Sequence, residues 1–361
     1  MSVLSNNRLT DFKASISDNV DAAIIFDSAN KKYLTGVKSD DAGTLIVTKN
    51  KSYFIIDSRY IEVAHRDISS GINVVLQGDL YKQISQIFCE NNVKSYALET
   101  QKTPISVLNK LNETVDAYFD SSVDAGEKIA HLRSVKDDTE LTHIKSAQKI
   151  TDDSFDYILG CICEGKTEKE LALELEFYMR SHGADAVSFD IIFIGGKNTS
   201  MPHGVPSDYK LQNGDLLTID FGADINGYKS DMTRTVALGS ISNEQKRVYD
   251  VVLEAQLKAI EQIKEGIACC EIDKIARDVI KSYGYGEYFG HALGHSVGLD
   301  IHESPNFSPK CATTLKEGMI LSVEPGIYLP QKFGVRIEDL VYVTKNGSIN
   351  LTKSKKSLII L

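Results

Sequence analysis

Asp220, Asp231, His295, Glu324 and Glu338 are the residues of this 361-residue chain best suited to chemistry. They lie in the segments DFGADINGYKSD, HALGHSVGLDIHESP, SVEPGIY and GVRIED. Four carboxylates and one imidazole make an oxygen-rich, hard-leaning ligand set, sufficient for two divalent metals if carboxylates bridge. A metal pair of that kind makes hydroxide available near neutral pH and polarises a carbonyl, which is the chemistry of hydrolysis.

The elements that must carry these side chains are legible in the surrounding pattern. In LLTIDFGADINGYKSDMTRTVAL, Asn226-Gly227 separates two strand-like runs and predicts a type I′ hairpin, whose central residues both need positive φ. With those two as the loop, Asp220 faces Thr233, and Asp231 sits two residues along from Thr233. Parity then places both carboxylates on one face, as diagonal neighbours roughly 7–8 Å apart at the backbone. A bulge would change that register, and two hairpin aspartates taken alone are more often simply solvated.

In GVRIEDLVYV, Val335 and Ile337 alternate with Arg336 and Glu338, so the charged pair shares one strand face. Burying such a face requires partners or a metal for its charges. Glu324 ends the run MILSVE, and Pro325-Gly326 halts the strand just beyond it. His291, His295 and His302 cluster in HALGHSVGLDIHESP, where Gly294 and Gly298 predict tight backbone turns. His203 lies in NTSMPHG, a turn-like segment ahead of the hairpin. Histidines that do not bind metal could donate hydrogen bonds to a carbonyl or its oxyanion.

The chain exceeds the usual size of one core, so two domains are expected. Short β-rich runs (AAIIF, TLIVT, SYFII, INVVL, SYALE) alternate in the first third with helical ones (RYIEVAHRDI, LYKQISQIFCEN). That alternation predicts an α/β domain over residues 1–125. The pattern lapses around 126–136, read as a linker, and a second domain spans 137–361. There, helices are expected from Asp137 to about Cys161, after Thr167, and over about 243–264 and 271–283. Thr167 and Glu170 form the S/T-x-x-E capping box of the second of these. The metal candidates fall instead on β-like segments, so this domain reads as α+β, with helices outside a sheet that carries the chemistry.

A formal charge of −10, from 40 basic against 50 acidic residues, argues against nucleic acid or an anionic membrane as partner. No apolar run reaches about 18 residues and the N-terminus lacks a signal-peptide pattern, so a cytoplasmic protein is expected. The six cysteines, none in a C-x-x-C pair, read as thiols of a reducing compartment.

In these motifs, their order and spacing, the chain resembles the pita-bread metallopeptidases, which include methionine aminopeptidase, aminopeptidase P and prolidase, alongside creatinase. The resemblance covers the whole chain, with a creatinase-like N-terminal domain and a pita-bread C-terminal domain with a curved β-sheet. It implies that Asp220 chelates one metal, that Asp231 and Glu338 bridge two, and that His295 and Glu324 complete the other site. Glu324 would also be the general base. His203, His291 and His302 match positions that contact substrate or stabilise the tetrahedral intermediate, with Arg336 and Tyr328 in support. Ser296 stands where many relatives have glycine. Oxygen-rich ligation favours Mn²⁺, with Co²⁺ or Zn²⁺ as other occupants.

The N-terminal domain points to the proline-specific branch, hence to peptides with proline in second position as substrates and to a homodimer. Asp57, Arg59 and Tyr60 in YFIIDSRY resemble a D-x-R-Y motif of short bacterial aminopeptidase P-like enzymes; a strand end with a local salt bridge is the plainer reading. On that motif the expected activity is Xaa-Pro aminopeptidase. The alternatives are an Xaa-Pro dipeptidase (prolidase) or a non-catalytic pita-bread binding protein.

Overall fold

The structure, a computed structural model, describes residues 5–16 and 18–361. The chain divides after Arg133 into two compact units, Met1–Arg133 and Ser134–Leu361.

All five β-rich runs of the first unit form strands: Ala22–Ile25, Thr44–Thr48, Ser52–Ile56, Ile72–Leu76 and Ser95–Leu98. With Tyr118–Asp124, which the sequence pattern does not announce, they make a six-stranded sheet. Ala22–Ile25 lies inside it, antiparallel to Thr44–Thr48 and parallel to Ser95–Leu98. Four of these strands are buried along their full length, which is why they read as unbroken apolar runs without alternation. The segment 126–136, expected as a linker, is helical from Ala125 to Ser134. Ala125, Ile129 and Arg133 recur every fourth residue and are all buried, a helical stripe too short to stand out in sequence.

The second unit has the helices where the apolar spacing put them: Asp138–Leu159, Glu168–Ser181, Asn243–Gln262 and Cys269–Ser282. Reciprocal capping boxes open the first three, at Asp137/Glu140, Thr167/Glu170 and Ser242/Gln245. The first two helices cover a three-stranded antiparallel sheet in which Leu216–Phe221 lies between Ile192–Gly195 and Met232–Ala237. The last two cover a five-stranded sheet that contains Gly294–Ser296, Ile320–Val323 and Asp339–Thr344. The hairpin Gly326–Leu329/Phe333–Arg336 joins the two sheets through hydrogen bonds between Arg336 and Thr235. Helices therefore lie outside and strands inside, as the α+β reading requires.

Candidate metal centre

The Asn226–Gly227 turn forms as its residues demand, with φ of 54° and 80°. Ile225 pairs with Tyr228 and, with no slip of register, Asp220 pairs with Thr233. Asp220 and Asp231 accordingly project to the same buried side, 8% and 4% exposed. Along the hairpin strand Phe333–Arg336 and just beyond it, Val335 and Ile337 enter the core while Arg336 and Glu338 turn to the opposite face, also buried. Glu324 follows the strand Ile320–Val323. Gly294 has a different cause from the turn anticipated for it: a Cβ there would lie 2.0 Å from the Ser322 carbonyl oxygen. Only glycine lets the strand carrying His295 approach the strand that leads to Glu324 so closely.

These elements bring Asp231, His295 and Glu338 together, each offering a ligand atom within 4.8 Å of the others. His295 Nε2 also lies 3.4 Å from Glu324 Oε1 and 3.5 Å from Asp231 Oδ2. The proton on this imidazole can be placed by its neighbours. Nδ1 is 3.2 Å from the Ser296 carbonyl oxygen, which can only accept, so Nδ1 carries the hydrogen. Burial lowers the ring's pKa and keeps it neutral. Its Nε2 lone pair thus faces two carboxylate oxygens, an arrangement that calls for a cation between them.

The acids show the same demand. Burial, then repulsion from Glu338 and Asp220, pushes the Asp231 carboxyl well above the usual carboxylate range. Glu338 is raised by burial and by repulsion from Glu324 and Asp220. Burial lifts Glu324 to about 8 against the opposing field of Arg336. Glu338 Oε1 and Asp220 Oδ1 are buried with no hydrogen-bond partner. Clustered carboxylates, orphaned oxygens and a neutral histidine lone pair fit a divalent cation. At Asp220, Oδ2 accepts from Arg336 Nη2 at 2.5 Å, which leaves Oδ1 as the oxygen without a protein partner.

Around this cluster runs a hydrogen-bonded chain. Arg336 donates to Asp220, to Thr233 Oγ1 at 3.1 Å, to the Pro202 carbonyl at 3.1 Å and to Tyr328 Oη at 2.8 Å. Thr233 passes its own hydrogen to Glu338 Oε2 at 2.7 Å. Tyr328, its hydroxyl pushed up to about 12 by burial, donates to His291 Nε2 at 3.0 Å. That direction follows because His291 Nδ1 lies 2.8 Å from the Ala292 carbonyl oxygen and holds the ring hydrogen. Burial drives the His291 pKa down to about 4, so it stays neutral. His302 meets His295 edge-on at 4.4 Å between ring centroids. His203 is exposed and close enough to depress both His291 and His302 electrostatically.

Several residues of the site escape a reading of the sequence. Thr233 was derivable, since parity places it opposite Asp220. Ser322 accepts from the His295 backbone N–H and donates to Glu324 Oε1 at 3.2 Å, and sits two residues before that acid. Asp273 and Arg277 carried no readable signal. Arg277 donates to Asp273 and to the carbonyls of Phe289 and His291, while Asp273 accepts from Leu293 N, so one ion pair holds the backbone on both sides of His291. In the first unit, Arg59 pairs with Asp57 at 2.7 Å, the local strand-end bridge of the plainer reading.

Comparison with known proteins agrees with this geometry. The creatinase/prolidase N-terminal domain matches residues 8–135, and metallopeptidase family M24 matches residues 142–345. The Xaa-Pro dipeptidase of Pyrococcus horikoshii is 38% identical over 343 residues, covering 95% of each chain. An uncharacterized Bacillus subtilis peptidase, YqhT, is 40% identical over 95% of this chain and 96% of its own. Among solved structures, an Xaa-Pro dipeptidase from Bacillus anthracis aligns with a TM-score of 0.95 at 37% identity, over 99% of this chain and 100% of that one. An X-Pro aminopeptidase from Thermotoga maritima aligns at 0.88 and 35%, over 95% and 98%. With a creatinase-like α/β unit, a pita-bread α+β unit and the acid–histidine cluster in place, the chain belongs to the M24 metallopeptidases, in their Xaa-Pro peptidase family, and is an enzyme.

Proposed function

We propose that this protein is a dinuclear Xaa-Pro dipeptidase, hydrolysing the bond between an N-terminal residue and a following proline. The observation that carries the proposal is the buried meeting of Asp231, Glu338 and His295, with Glu324 against the same imidazole nitrogen. The dipeptidase reading replaces the aminopeptidase expectation, which rested on Asp57, Arg59 and Tyr60. It draws support from relatives named Xaa-Pro dipeptidase in Pyrococcus horikoshii and Pyrococcus furiosus, 38% and 37% identical.

Asp220, Asp231, His295, Glu324 and Glu338 would hold two divalent ions, Mn²⁺ by the hardness of the set. When bound, such ions supply a Lewis acid for the peptide carbonyl and lower the pKa of water. Glu324 takes the proton of the attacking water and returns it to the prolyl nitrogen as the C–N bond breaks. His203 and His302, at the open side, donate to the substrate carbonyl oxygen as it gains charge. Arg336, Tyr328 and neutral His291 hold Asp220 and Glu338 in place through the hydrogen-bonded chain. We further place the enzyme in the cytosol as a homodimer. No helix among the described residues is long and apolar enough to cross a membrane.

The test compares Ala-Pro with Ala-Pro-Ala under defined Mn²⁺. A dipeptidase cleaves the first and spares the second. Comparable rates on both would restore the aminopeptidase, and cleavage of neither by fully metallated protein would reject a peptidase altogether.

A further inference from the structure

Glu168 has no place in the chemistry above, yet it is a fully buried carboxylate, 0% exposed, at the first position of the helix Glu168–Ser181. Its Oε1 accepts from Gly195 N at 2.7 Å and Asn198 Nδ2 at 2.9 Å. Its Oε2 accepts from Ser207 N at 2.8 Å and Ser207 Oγ at 2.6 Å. The two donor pairs come from opposite ends of one loop, 195–207, and His203 lies between them. Charged acceptors with several donors make the strongest and most directional bonds in a protein interior. The carboxylate thus works as a buckle: each oxygen fastens one end of the loop.

We propose that Glu168 is a positioning residue that sets the reach of His203 toward the metal centre. The proposal rests on the reading of His203 as a group that meets substrate. Two further ties hold the first part of the loop, where Gly334 N donates to Thr199 Oγ1 and Arg336 donates to the Pro202 carbonyl. Beyond Pro202, Gly204 N donates back to the Met201 carbonyl, and at the far end of the loop Lys169 N donates to the Ser207 carbonyl. His203 itself is exposed, so the buckle controls the stretch of loop beyond Pro202.

Glu168→Gln tests this, because an amide keeps the volume but turns one acceptor oxygen into a donor facing donors. Amide hydrogen exchange should accelerate within 196–206 and stay unchanged in the strand Leu216–Phe221, with Mn²⁺ affinity as in the parent protein. Hydrolysis of Ala-Pro should fall in kcat/KM by roughly 10–100-fold, the penalty of misplacing a group by about 1 Å. In a His203→Ala background, Glu168→Gln should cost almost nothing further. An equal loss in both backgrounds, or unchanged exchange in the loop, overturns the proposal. Should His203→Ala keep full activity, the reading of His203 falls, and loop exchange alone then decides whether Glu168 is a buckle. Ser207→Ala deletes one donor to Glu168, together with the acceptor of Tyr209 N, and is expected to give the same changes at smaller amplitude, so a poorly folding Glu168→Gln leaves the idea open to refutation; unchanged exchange in Ser207→Ala would count against it.

Discussion

Buried carboxylates occur in both units of this molecule, and the acid cluster of the second is treated in the opposite way to Glu99 of the first. In the first unit Glu99 is 1% exposed, and both of its oxygens are satisfied. One accepts from Asn30 Nδ2 at 2.7 Å, and the other from the backbone N–H groups of Phe26 and Asp27 at 2.7 and 2.9 Å. In the second unit Asp220, Asp231, Glu324 and Glu338 repel one another, and two of their oxygens lack partners. A protein solves the cost of a buried charge with donors when the charge serves structure. Leaving it to a cation marks a site kept for chemistry.

The contrast is sharpest under neutralisation. Asp231→Asn should eliminate tight binding of the metal pair and lower kcat/KM by at least about a thousandfold, the scale of losing a central electrostatic group. Metal analysis by mass spectrometry alongside peptide kinetics would check it; an active, fully metallated variant would dismantle the site assignment. Metal itself should stabilise the protein strongly, by about 4 kcal/mol when free Mn²⁺ exceeds Kd a thousandfold. Thermal melts with and without Mn²⁺ read this directly, and the shift should disappear in Asp231→Asn.

Thr233→Val probes one link further out. It removes the hydrogen donated to Glu338, and outer partners of this kind are worth roughly 10–100-fold in metal affinity. Glu99→Gln should leave metal binding and kinetics alone while destabilising the fold by about 1–3 kcal/mol, since one acceptor becomes a donor among donors. Denaturant unfolding separates these outcomes: altered Mn²⁺ affinity in Glu99→Gln would break the division of labour.

The last contrast is in pH. Glu324 has a folded pKa raised to about 8, so the folded state holds its proton after the unfolded state has lost it. The contribution of Glu324 to the stability of the metal-free protein should therefore be fully present below about pH 4.5. It should decline as pH rises through the window from about 4.5 to 8, by about 1.4 kcal/mol per pH unit for each proton involved. Glu99 is raised as well and adds a slope of the same sign. The informative quantity is the difference between metal-free and Mn²⁺-loaded protein, and parallel pH profiles would refute the role of the acid cluster.

Local chemistry decided how much could be foreseen from sequence. The hairpin was legible because Asn-Gly admits few turn geometries, and two-residue parity then carried the Asp220–Asp231 relation without further information. Thr167 and Glu170 announced their capping box for the same reason: both partners lie within one turn. Arg336 and Glu338 were recognisable from alternation with Val335 and Ile337. By contrast, Glu168 reaches Ser207 and Arg277 reaches His291, contacts fixed only when helices dock on sheets. The helix Ala125–Ser134 hid because its buried stripe spans little more than two turns and includes an arginine. The preference for aminopeptidase leaned on Asp57, Arg59 and Tyr60, where the arginine and its aspartate bond to each other at a strand end.

The near-contact of Gly294 with the Ser322 carbonyl has an evolutionary corollary. Any side chain at 294 would drive the two strands apart, so that glycine is answerable to the fold whether or not the protein retains catalysis. The ligands obey the reverse rule: without metal, trading a repelling carboxylate for its amide would relieve the fold. A descendant that abandoned hydrolysis would drift toward amides at the acidic positions and grow sturdier, yet still carry the glycine as a mark of its descent.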